Sequence, residues 1–296
     1  MIKKSGNDMS KGKKWRKGKY KVINWGAYNK NLKKRGDLTI WFTQEGIEKW
    51  LEEEASVKFR GRQREYSDTA IQAMYTIRQV FNLRLRQTEG FTKSILKIMK
   101  INLPIPDYTT VSRRVRELSV DFVTMKPGEK INLILDSTGI KVVGEKEWTN
   151  HKYGTRQRKI WRKLHIGVTD DGNVVAREVT TLRRSDIATV PILLKQVTTD
   201  IEAVVGDGAY YKNRMEDYMR QNQYSEKARF IGPPKDGSKN YGNRLKVEET
   251  FSRYKRIIGN KFKAQHFLGQ QNEVKISLLI LNKMKDLGMP KTIRVA

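Results

Sequence analysis

Near residue 130 the chain changes its hydrophobic period, and that switch limits the available folds more than any other feature. Upstream, apolar residues recur at helical spacing: Ile71, Met74, Tyr75, Ile77 and Val80 follow a capping Ser67. Downstream, Ile131-Asn132-Leu133-Ile134-Leu135 reads as a buried strand ended by Asp136-Ser137-Thr138-Gly139. Residues 161–169 and 174–180 read as two more strands, and Asp171-Gly172 between them signals a tight antiparallel hairpin. A helix starting near Ser185-Asp186 carries Val190, Leu193, Leu194 and Val197. A fourth strand over 203–206 runs straight into Asp207. A helix over 213–221, a short strand over 228–231 and an amphipathic helix over 273–287 complete the order.

The helical half contains further segments. Thr43 is read as the cap of a short helix whose apolar face includes Ile47, Trp50 and Leu51. Residues 84–100 present Leu85, Phe91, Ile95, Leu96 and Met99 as a buried stripe. After the breakers Pro104 and Pro106, Thr109 is expected to cap a helix with Val111, Val115 and Leu118 inward. Arg113, Arg114 and Arg116 then project outward, as in the recognition helix of a helix-turn-helix. An ordinary bundle helix with a basic face satisfies the same pattern.

Charge narrows the partner. Lys and Arg number 60 against 32 Asp and Glu, a formal net charge of +28, which calls for a polyanion, nucleic acid by default. No apolar run reaches about 18 residues, so no membrane span is expected. Residues 1–37 form a basic arm in which Lys13, Lys14, Arg16 and Lys17 are interleaved with Trp15, Tyr20, Trp25 and Tyr28. The aromatics favour an arm tracking DNA backbone over a solubilising tail. With no cysteine and only three histidines, a thiolate or multi-His zinc site is excluded. Any metal would be held by oxygen ligands, which suits Mg²⁺ or Mn²⁺.

One stripe gathers unlike charges. On a helix beginning at Tyr241, Arg244, Glu248 and Lys255 lie at about 300°, 340° and 320°. Glu249 points about 100° away from Glu248. Alone, such a stripe is more simply a solvated face with i,i+4 pairs.

The element order as a whole is that of a ribonuclease-H-like α/β domain with a mixed sheet. In that order the first strand supplies Asp136, the fourth Asp207 and the later helix Glu248. Three converging carboxylates repel one another unless cations neutralise them, and two Mg²⁺ ions would do so. Tyr241, Arg244 and Lys255 would then hold phosphates beside them.

These residues resemble a known family, the DDE transposases of bacterial insertion sequences, and within it the insertion-sequence-five family. Tyr241, Arg244, Glu248 and Lys255 meet its signature of Tyr, two residues, Arg, three residues, Glu, six residues, Lys. The segments at 135–142, 206–210, 24–29, 161–165 and 281–284 also fit, so the likeness spans nearly the whole chain. The resemblance implies that Asp136, Asp207 and Glu248 bind the metals and that Tyr241, Arg244 and Lys255 contact the transposon ends. It implies a bacterial, cytoplasmic, nucleoid-associated enzyme that acts on inverted-repeat and target DNA as a dimer or larger assembly. About 40 residues separate Asp207 from Glu248, so the β-rich insertion of some relatives is missing.

The expected organisation is a DNA-contacting arm over 1–37, a helical DNA-binding domain over 38–128 and a ribonuclease-H-like catalytic domain over 129–296. Two other functions share parts of this pattern: a nuclease of the same fold without strand transfer, and a non-catalytic helix-turn-helix regulator. His165, on a strand, is expected to be a packed, hydrogen-bonded residue rather than a catalytic base.

Overall fold

The structure, a computed structural model, describes residues 19–51, 64–122, 130–142, 160–207, 210, 221, 229–231 and 244–295. Lys13, Lys14, Arg16, Lys17, Tyr241 and nearly all of the helix expected at 213–221 lie outside these residues. Strand β1 (Lys19–Val22) leads into α1 (Trp25–Lys34). Two short helices follow, α2 (Leu38–Trp41) and α3 (Gln44–Glu48). Thr43 caps α3 as expected, accepting from the Gly46 amide at 3.2 Å. Trp50 lies beyond the end of α3 yet is fully buried, whereas Leu51 is exposed and bridges to Tyr66.

Helix α4 (Asp68–Val80) is capped by Ser67 and buries Ile71, Met74, Tyr75 and Ile77. In α5 (Leu85–Ile98) the buried side chains are Thr88, Thr92, Ile95 and Leu96. Met99 falls outside the expected stripe, because the helix ends at Ile98 and Lys100 turns the chain with φ +56°. Helix α6 (Tyr108–Arg114) is capped by Asp107, not by Thr109. The Asp107 carboxylate accepts from the Thr109 and Thr110 amides at 2.8 and 3.1 Å and from both hydroxyls, which holds it well below the usual carboxylate range.

The sheet runs β4-β3-β2-β5-β6, built from β2 (Ile131–Val142), β3 (Trp161–Val168), β4 (Val174–Thr181), β5 (Ile201–Val205) and β6 (Arg229–Ile231). β2, β3 and β4 form the expected antiparallel meander, while β5 runs parallel to both β2 and β6. β2 does not stop before Asp136. Gly139–Lys141 continue the pairing with Trp161–Lys163, and Lys141 and Val142 also pair with the two-residue β7 (Lys261–Phe262). Asp136 therefore stands mid-strand, paired with Ile166 of β3 on one side and two residues past the last β5 partner, Ile134, on the other.

Alternation along β2 and β3 sorts the side chains between two faces. Ile134, Ile140, Leu164, Ile166 and Val168 share one face with α8 (Leu245–Ile257) and α9 (Phe267–Asp286), through Val247, Phe251, Val274, Leu278 and Leu281. Leu133, Leu135, Val204 and Tyr210 share the other with α7 (Val190–Leu194), which follows a 3₁₀ turn at Ile187–Thr189. The first of these clusters continues without a break into Trp41, Trp50, Ile71 and Val111 of the helical segment.

Helix α9 starts six residues before the expected 273 and is not amphipathic in the simple sense. It lies between the sheet and the helical segment, so its polar residues are buried as well. Asn282 bonds both the amide and the carbonyl of Val174, and Asn272 donates to the Val115 and Leu118 carbonyls at 2.7 and 3.0 Å. Beyond Gly288 the chain returns to β1 through β8 (Thr292–Val295). Asn24 and Arg35 reinforce that return by bonding Met289, Lys291 and Gly288.

Candidate active site

Asp136 projects from the sheet face that α8 covers, since it alternates with Ile134 and Ile140. Asp207 lies two residues beyond the end of β5, the strand beside β2. Helix α8 begins at Leu245, so Arg244 is its N-cap residue and Glu248 sits in its first turn, where a carboxylate is favoured by the helix dipole.

These elements bring four charged groups together. The Arg244 guanidinium lies 3.8 Å from Asp136, 3.9 Å from Asp207 and 3.8 Å from Glu248. Burial pushes the Asp136 carboxyl above its ordinary range, against the Ser137 amide, which donates to it at 2.8 Å, and against Arg244. The negative charges of Asp207 and Glu248 push it the same way. Three carboxylates and one guanidinium leave a formal charge of −3 + 1 = −2 when all are ionised, the charge one divalent cation neutralises.

The donor set suits a hard cation, being all carboxylate oxygen. Its present spacing is set by a guanidinium, and among the described residues no group of three His, Cys, Asp or Glu is gathered as metal ligands. Lys255 lies in the last turn of α8, exposed and seven residues beyond Glu248 on the same face.

The arginines of α6 and of the turn that follows it divide. Arg113 and Arg116 are exposed, as expected. Arg114 is not on that face: it is buried, paired with Asp68 at 2.6 Å and donating to the Tyr66 carbonyl at 2.9 Å. One residue is a turn of about 100°, enough to carry a side chain from solvent to core.

Behind Asp136, on the opposite face of the sheet, lies a polar network of which sequence reasoning anticipated only His165, packed and hydrogen-bonded as expected. Ser137 donates to Asp186 at 2.9 Å, Lys163 donates to both Asp186 oxygens at 3.1 and 3.2 Å, and His165 Nδ1 lies 3.3 Å from the same carboxylate. His165 Nε2 is 2.9 Å from the Thr180 hydroxyl, and Nδ1 is 3.4 Å from that of Tyr210. Burial holds the imidazole down to about 4, so it is neutral at pH 7. Burial pushes the Tyr210 phenol up. The network thus braces Ser137, next to Asp136, and Tyr210, whose amide bonds the Asp207 carbonyl at 3.0 Å. The alternation of Lys163 and His165 on one strand face was the available signal; Asp186 gave none.

A sheet of order β4-β3-β2-β5-β6 with an acidic cluster at its centre defines a ribonuclease-H-like α/β protein. Two family models, each described as a transposase DDE domain, match residues 33–145 and 127–283. The second covers more than half of the sequence, and the chain belongs to the DDE transposases. It is also similar to a piggyBac transposase solved by cryo-EM in a synaptic complex with hairpin DNA. That match has 9% identity and a TM-score of 0.40, covering 83% of this chain and 73% of that one. No helix among the described residues is long and apolar enough to cross a membrane.

Proposed function

We propose that this transposase, of the insertion-sequence-five type, binds the inverted repeats of its element, cleaves at the element end and joins the freed 3′-hydroxyl to target DNA. The observation that carries the reading is the gathering of Asp136, Asp207 and Glu248 around Arg244. Asp136, Asp207 and Glu248 would hold divalent metal, Mg²⁺ or Mn²⁺, two ions for the full reaction. Bound there, the metal supplies activation of the attacking oxygen and stabilisation of the leaving one.

The protein's own groups do the remaining work. Asp136 and Asp207, fixed by neighbouring strands, set the two rigid ligand positions. Glu248, on an exposed first turn, adjusts to them. Arg244 holds the carboxylates together in the absence of metal and turns toward a phosphate when metal takes its place. Lys255 and Tyr241 extend that phosphate-binding stripe, and Arg113, Arg116 and the basic arm hold DNA further out. Both element ends must be held at once, so a dimer or larger assembly forms on DNA. The domain limits at 37/38 and 128/129 belong to the same proposal.

The test uses wild type, Asp136→Ala and Glu248→Gln with pre-nicked element-end DNA, supercoiled target and Mg²⁺. Joined product from wild type alone is expected. Cleavage without joining would favour a nuclease, and binding with no metal-dependent product a regulator. Equal joining by Glu248→Gln would remove that residue from the site and turn attention to Glu249.

A further inference from the structure

A cationic cleft, separate from the acidic cluster, lies where α4, α6, β7 and the start of α9 meet. It encloses ≈ 230 Å³, and its walls include Arg78, Ser112, Arg116, Lys263, His266 and Gly269. No acidic side chain lines it among the described residues. Arg78 is only 6% exposed and packs its guanidinium 4.8 Å over the Tyr75 ring, yet its Nε has no hydrogen-bond partner. Lys263 Nζ is likewise buried without one.

The neighbouring buried acid, Glu273, is engaged elsewhere. Its carboxylate accepts from the Lys263 and Ala264 amides at 2.9 and 2.7 Å and from the Tyr75 hydroxyl at 3.3 Å. Burial and Arg78 together push the Lys263 ammonium down to about 8, against the opposing pull of the Glu273 carboxylate. The cleft also lies at the N-terminus of the 20-residue α9, whose cap residue His266 makes no side-chain cap bond and whose first turn has no acid. Helix dipole, two buried cations, an exposed arginine, a hydroxyl and an imidazole all converge on one space. Donors from so many directions suit a tetrahedral oxyanion.

From these contacts we infer that the cleft between α6 and the start of α9 binds a phosphate group. Lys263 follows β7, which pairs with β2 six residues beyond Asp136 at Val142. The cleft is therefore displaced from the acidic cluster by about 20 Å along the strand. A phosphate here is bound and not reacted.

The phosphate can come from the DNA backbone or from a small phosphorylated molecule, and one experiment separates them. Inorganic phosphate is titrated into wild type, Lys263→Met and Arg116→Gln, with the Lys263 pKa followed by NMR in wild type and Arg116→Gln. Binding of a duplex oligonucleotide is measured across a salt series in all three. Phosphate is expected to raise the Lys263 pKa by at least about one unit. Phosphate affinity should fall about tenfold in each variant, even if Lys263→Met alone folds poorly.

A log–log salt slope shallower by about 0.9 in Lys263→Met would assign the cleft to a DNA phosphate. An unchanged slope in Lys263→Met with weakened phosphate binding would assign it to a free phosphorylated molecule. No phosphate response in Lys263, with phosphate binding unchanged in both variants, overturns the inference.

Discussion

Asn272 is the fastener between α6 and α9, and replacing it with leucine tests how the helical segment is held to the sheet. Its amide donates to two carbonyls, Val115 and Leu118, at 2.7 and 3.0 Å, on residues only 4% and 3% exposed. Leucine keeps the same branched heavy-atom skeleton and is somewhat larger, so no cavity opens, but both buried carbonyls lose their donor. Each loss costs about 1–3 kcal/mol, offset in part by roughly 1 kcal/mol gained in apolar burial. The expected net destabilisation is about 1–5 kcal/mol. For a chain of this size that lowers the unfolding midpoint by roughly 2–8 °C. Urea denaturation followed by tryptophan fluorescence gives the free energy, and amide exchange shows where protection is lost. Protection should fall first in α6. A change below about 1 kcal/mol, with α6 still protected, would show that apolar packing alone holds the junction.

Three further outcomes follow from the site and its surroundings. His165 ionises at about 4 when folded and about 6.5 when unfolded, so the unfolded chain takes the proton first. Its contribution is therefore intact above about pH 6.5 and lost as pH falls toward 4, at most about 3 kcal/mol; His165→Gln should flatten that limb, and an unchanged pH–stability curve would refute it. Arg244 competes with any divalent ion: at 3.8–3.9 Å a unit charge pair is worth about 1 kcal/mol in water-like surroundings, and a divalent ion feels about twice that in repulsion. Calorimetry should show Arg244→Gln binding Mn²⁺ about 30-fold more tightly while joining falls; equal or weaker affinity would take the guanidinium out of the competition. Arg114→Met should cost about 1–3 kcal/mol of stability, whereas Arg113→Ala should leave stability intact and make the salt slope of duplex binding shallower by about 0.9; the reverse assignment would return Arg114 to the surface.

Much of the sheet was legible because its strands are short apolar runs whose acids stand out. The β3–β4 hairpin was readable from Asp171-Gly172, where Gly172 takes φ +85°. The continuation of β2 past Asp136 was not, because Ser137-Thr138-Gly139 looks like a turn until β3 and β7 pair with it. The start of α9 was missed for a related reason. Gln270, Asn272 and Glu273 look like surface residues, but Asn272 is held by carbonyls on the distant Val115 and Leu118, and Gln270 and Glu273 by the backbone of Ala264 just before the helix. Arg114 was placed outward because its partner, Asp68, is 46 residues away. Composition and period report what a residue prefers locally, whereas these positions are decided by partners remote in sequence.

The pairing of β1 with β8 also orders events in time. Asn24 meets Met289 across 265 residues, so the earliest described strand has no sheet partner until β8 has been made. At about 5–20 residues per second, that leaves β1 waiting roughly 10–50 s during synthesis. The segment carrying Tyr20, Lys21 and Trp25, at the start of the described residues, is thus among the last to be secured. Tyr20 and Trp25 stay exposed once the clasp has closed, so a nascent chain offers them to polyanions both before and after that step.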